Sequence, residues 1–115
     1  MTIPQALDKL SHSRFRSGFS LTGREREYLE EKGMDTVRRH AADFVRERLA
    51  PPAGANDGRQ TPMSGHPAFK AMHATACCCR GCLYKWYRVR PDRALTEGEQ
   101  ERIVNLLVAW MERQR

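Results

Sequence analysis

The stretch "HPAFKAMHATACCCRGCLYKW", residues 66–86, decides how this chain is read. It carries all four cysteines of a 115-residue chain and two of its four histidines. Pro67 suits the first turn of a helix, where its missing N–H costs nothing, and "AFKAMHATA" continues that helix. The run Cys77-Cys78-Cys79 interrupts it. Cys79-Arg80-Gly81-Cys82 is then a CxxC with glycine inside the turn. In zinc knuckles this spacing aims two thiolates at one ion while backbone N–H groups donate to the sulfurs. Gly81 leaves the sharpest part of the turn without a side chain. From Leu83 a helix can begin, and its N-terminal dipole favours thiolate charge nearby.

The histidines supply the rest of a ligand set. His66 and His73 are two helical turns apart and share a face, and His73 lies one turn before Cys77. The first set is therefore His66, His73, Cys79 and Cys82, a closed tetrahedral zinc site. The competing set is His73 with Cys78, Cys79 and Cys82, ranked second because successive side chains diverge. Cys77 reads as a small buried hydrophobe. Plain unliganded thiols remain an alternative, since cysteine is among the most buried residue types. An iron–sulfur cluster would need four thiolates from a crowded run. A thioredoxin-like site would need a strand before the CxxC, and none is visible.

Four helices are legible around this stretch. "LTGREREYLEEKG" opens with a capping box, Thr22 with Glu25, and ends at Gly33. Asp35 is positioned to cap the next helix, where Val37, Ala41, Phe44, Val45 and Leu49 recur at helical spacing. "APP" at 50–52 stops it. The stretch "AGANDGRQTPMSG", 53–65, is a long turn-rich loop, uncommon in a small domain unless pinned or functional. Pro91 ends the segment "CLYKWYRV". The last helix has a capping box of Thr96 with Glu99 and an apolar stripe of Ile103, Val104, Leu107, Trp110 and Met111. No alternating strand pattern and no repeat occur. The expectation is an all-α bundle of four to five helices in a single domain, 1–115, with a long irregular loop, a Cys/His cluster and a loosely ordered segment 1–14. A helix-turn-helix centred on Gly33 fails, because it would place Lys32 and Arg39 in its small core.

Net charge is +6, and the excess is concentrated. Residues 51–95 hold seven basic residues against Asp57 and Asp92, whereas residues 12–50 are nearly balanced. Arg80, Lys85, Arg88 and Arg90, interleaved with Trp86 and Tyr87, suit phosphate pairing and base stacking, so nucleic acid or another polyanion is the expected partner. The bland counterpart is a core Trp86 beneath a solvated cationic face. No basic start followed by an apolar run marks a signal peptide, and no membrane span is present, so a cytoplasmic place is expected. Clustered cytosolic cysteines favour metal or redox chemistry over disulfides.

The motifs "HAADFVRERLAP", "NDGRQTP", "GHPAFKAMHAT" and "CCRGCLYKW" resemble those of an uncharacterised bacterial family, domain-of-unknown-function family 4186. The resemblance runs from Phe15 onward. It differs in having threonine where this chain has Cys77, and histidine where it has Tyr87. It implies no established activity. Three functions stand open. One is a zinc-organised binding module with a polyanion partner. Another is a zinc hydrolase using the polar loop Asn56, Asp57, Arg59, Gln60 and Thr61, with Asp57 as base. The last is a thiol redox sensor using Cys78, Cys79 and Cys82.

Overall fold

A computed structural model describes residues 1–55 and 57–115. Among them are seven α-helices and no strand, so the class is all-α and the expected four to five helices are too few. The elements are α1 (Ile3–Ser11), α2 (Arg14–Ser17), α3 (Gly23–Lys32), α4 (Met34–Phe44), α5 (Pro67–Ala74), α6 (Arg80–Tyr87) and α7 (Glu97–Arg113). Both capping boxes form. The Thr22 and Thr96 hydroxyls accept from the N–H groups of Glu25 and Glu99, whose carboxylates reach back to the cap N–H groups. Gly33 joins α3 to α4 at φ 83°, a left-handed value that glycine adopts without strain. It also displaces Asp35 from the capping position to the first turn of α4.

Two further helices precede the expected set, and α1 lies within the segment 1–14 that the sequence left without an element. Thr2 and Gln5 form a third capping box, and Ala6, Leu7 and Leu10 bury one face of α1. Ser13 caps α2, which delivers Arg16 into the interior. Val37, Ala41, Val45 and Leu49 of α4 and its extension face Leu107 and Met111 of α7 in a fully enclosed core.

The end of α4 shapes the rest. Val45–Leu49 continues as a π-helical turn, closed by Ala50 N–H donating to the Val45 carbonyl at 2.8 Å. Pro51 and Pro52 then offer no N–H, so the last carbonyls need donors from elsewhere. Arg80 supplies them. Its Nη1 donates to the carbonyls of Leu49, Ala50 and Pro51 at 3.5, 3.2 and 2.9 Å, and Nη2 to the Arg90 carbonyl at 2.5 Å. The residue has no exposed surface, and burial pulls its pKa down. Two backbone bonds, Ala53 N–H to Pro91 and Leu95 N–H to Ala50, both 2.8 Å, close the same junction.

Arg80→Ala would strand these carbonyls and empty a buried site. Unfolding free energy from urea titration should fall by about 3 kcal/mol or more. Arg80→Lys, with one ammonium group, should recover only part of that. A loss below about 1 kcal/mol for Arg80→Ala would contradict this role.

Candidate metal centre

The cysteines owe their position to how α5 stops. Ala76 takes φ 60°, and a Schellman pair closes the helix, Cys77 N–H to Met72 O at 2.8 Å and Ala76 N–H to His73 O at 3.4 Å. The chain then turns directly into α6, whose N-cap is Cys79. Its Sγ accepts from Cys82 N–H at 3.4 Å, the donation expected of a CxxC knuckle. Asp57 Oδ1 accepts from Arg80 N–H at 3.2 Å, placing a carboxylate on the same helix start. A Cβ on Gly81 would lie 3.0 Å from Asp57 Oδ2, which accounts for the glycine inside the motif.

The Sγ atoms of Cys78, Cys79 and Cys82 all lie within 4.8 Å of one another. Thiolates sharing one zinc at ~2.3 Å sit roughly 3.8 Å apart, so the three sulfurs could hold one metal ion after small adjustments. Arg16 closes the cluster from α2. Its Nη2 donates to Cys82 Sγ at 3.1 Å, and Nη1 to Cys78 Sγ at 3.6 Å and to the His73 carbonyl at 2.7 Å. Among the described residues no carboxylate pairs with this buried guanidinium, so sulfur is its natural counter-charge. The thiols respond. Cys78 is lowered to about 7, first by the hydrogen bond from Cys82 and then by Arg16, against the opposing effect of burial. Cys82, which donates that bond, is raised, and Cys79 is raised by burial. Cys77 is fully enclosed and pushed up to about 12 by burial, as suits an inert core thiol.

A family comparison adds identity to this geometry. The profile of the domain-of-unknown-function family DUF4186 matches residues 4–112. The chain belongs to the DUF4186 family. No solved structure matches it.

In this DUF4186 chain the two expected histidine ligands stand outside the cluster. His73 Nε2 lies 3.2 and 3.1 Å from the carbonyls of Thr61 and Pro62, and must donate to them as N–H. With its ring stacked on Phe19 at 5.7 Å, it staples the loop to α5 instead of reaching the sulfurs. Thr61 reinforces that staple by donating to the Cys78 carbonyl at 2.8 Å. His66 is further displaced, because it is the N-cap of α5. Its Nδ1 accepts from Ala68 N–H at 2.9 Å, and Nε2 meets His40 Nδ1 at 3.0 Å beside Tyr28, Phe44 and Phe69. Helical periodicity had placed the two histidines on one face, but a capping residue lies outside the helix and does not obey it. The unexpected participant is Arg16.

The expected anion-binding residues also separate. Arg80 is withdrawn into the core and cannot meet a partner. Arg90 is bonded to Asp92 at 2.6 Å. Lys85 and Arg88 are exposed. In the polar loop, Asn56 lies outside the described residues, and Asp57 is bonded to Arg80 N–H and to Gln60.

His66 gives a pH prediction. Burial, then the nearby His40, lowers it from 6.5 to about 4. The unfolded chain thus takes up a proton that the folded chain refuses, and stability drains away as pH falls through that window. The loss should approach about 3 kcal/mol. His66→Asn keeps a capping side chain and should flatten this part of the stability–pH curve. An unchanged curve would contradict the assignment.

Proposed function

We propose that this protein is a zinc-binding helical module in which Cys78, Cys79 and Cys82 hold one ion as thiolates. The convergence of those three sulfurs beneath a buried arginine carries the reading. Three thiolates and Zn²⁺ carry a net charge of −1, which Arg16 neutralises at a site where Cys78 and Cys79 are buried and Cys82 half-buried. Soft sulfur donors favour zinc, copper(I) or iron–sulfur clusters. A cluster would want a fourth thiolate, and Cys77 is buried away from the group. Among the described residues no fourth donor joins the three, so water or an incoming donor completes the tetrahedron. A metal-bound water would be the starting point of a hydrolase, but Asp57 serves here as a helix-start acceptor. Binding is therefore preferred to hydrolysis. The exposed Lys85, on the helix that carries Cys82, and Arg88, just after that helix, support an anionic partner.

A dithiol redox sensor is the second reading. It is favoured by Cys78, whose pKa near 7 comes from Cys82 and Arg16 beside it.

Elemental analysis of the purified chain should find about one zinc per molecule, with native thiols slow to alkylate. Cys79→Ala and Cys82→Ala should abolish metal retention, and His66→Asn should not. Arg16→Gln should weaken zinc affinity by roughly 10- to 100-fold in a chelator competition, since it orients the sulfurs without ligating. Metal-free protein with three fast-reacting thiols would overturn the zinc reading in favour of the dithiol.

A further inference from the structure

Away from the three sulfurs, a groove of about 730 Å³ runs between α1, the outer face of α6 with the turn after it, and the start of α7. Its floor is apolar: Leu83, Ile103 and Leu106 are buried, and Trp86 and Val89 half-buried. Its rim is cationic, with Lys9, Lys85, Arg88, Arg93 and Arg102 facing one carboxylate, Glu99. Arg93 already neutralises Glu99 through two bonds of 2.7 and 2.8 Å. Lys9 lies over the Trp86 ring at 5.4 Å, and Arg88 over Tyr84 at 5.5 Å. Among the described residues, Lys85 and Arg102 have neither a hydrogen-bond acceptor nor an ion-pair partner, and both are exposed. The size falls in the range of small-molecule sites, which combine an apolar body with a few placed polar groups.

We propose that this groove binds a small amphiphilic anion, an acyl or aryl chain bearing one carboxylate or phosphate. The chain lies on Leu83, Trp86, Ile103 and Leu106, and the head pairs with Lys85 and Arg102. Charge complementarity selects the head, because four rim cations remain once Glu99 has paired with Arg93. Recession selects a free molecule over a bilayer, because the buried floor lies below a charged rim that a flat surface would meet first. A nucleic acid would use the same cations, but it has no aliphatic body to fill the buried part of the floor. This assignment goes beyond the zinc reading and stands without it, because no thiol of the cluster lines the groove.

The test is calorimetric titration of the full-length protein, as purified, with dodecanoate and dodecyl phosphate below their micellar concentrations. At least one should bind saturably near one per chain, and dodecanol and acetate at least tenfold more weakly. Lys85→Ala with Arg102→Ala should weaken binding at least tenfold, with the circular dichroism spectrum and melting temperature unchanged. Brominated dodecanoate should quench the fluorescence of the chain, and Trp86→Phe should remove that quenching while Trp110 still emits. The proposal is overturned if neither amphiphile binds at concentrations up to ~1 mM. It is overturned equally if dodecanol binds as tightly as dodecanoate. Binding only to anionic vesicles, or to a single-stranded oligonucleotide that neither amphiphile displaces, also overturns it.

Discussion

A guanidinium with no exposed surface joins the end of α4 to the turn before α7. Arg80 meets four backbone carbonyls there, and that is the constraint on which the site depends. Two prolines remove the donors that a longer helix would have supplied, leaving the partial negative charge of a helix C-terminus exposed to the core. Only a long, planar cation with several N–H groups can answer several carbonyls at once. Because Arg80 is the first residue of α6, satisfying those carbonyls also fixes where α6 starts. Its neighbours Cys79 and Cys82 are thereby set at the helix N-terminus, where the dipole and Asp57 meet.

A second buried arginine addresses the opposite charge. Arg16 reaches sulfurs that are 62 and 66 residues away in sequence, and its position depends on α2 being held by Ser13 and by the packing of α1. The two arginines divide the interior chemically: one faces neutral carbonyl dipoles, the other faces ionisable sulfur. A chain of this size has a limited apolar core, and the proposed ion would add to its stability by tying Cys78, Cys79 and Cys82 together. The long loop is then pinned from both sides, by His73 and Thr61 at one end and by Asp57 at the other.

Much of this was legible in the sequence, and the rest failed for identifiable reasons. The all-α class, the capping boxes at Thr22 and Thr96, the Pro67 helix start and the α7 stripe follow from local patterns and appear as expected. The capping box of Thr2 with Gln5, ahead of Ala6, Leu7 and Leu10, is an equally local signal for α1. The cysteine cluster is legible in the sequence; Cys77 is buried outside the group of three, and the adjacent Cys78 and Cys79 bring their sulfurs close together. Ala76 in the left-handed region and Cys79 in an extended cap turn the backbone sharply enough to let Cys78 and Cys79 converge. His66 and His73 bind backbone groups in the structure, and in sequence such side chains look like side chains that bind metal. A positive charge beside a CxxC suggests solvent, and only the proline-ended helix across the fold shows why Arg80 is buried. Arg16 had no local signal.

X-ray absorption at the zinc edge of the purified protein tests the central claim most directly. The account predicts three sulfurs at about 2.3 Å and one lighter atom, oxygen or nitrogen, at about 2.0 Å. Two sulfurs with two imidazole nitrogens would restore the histidines as ligands and contradict the three-thiolate site.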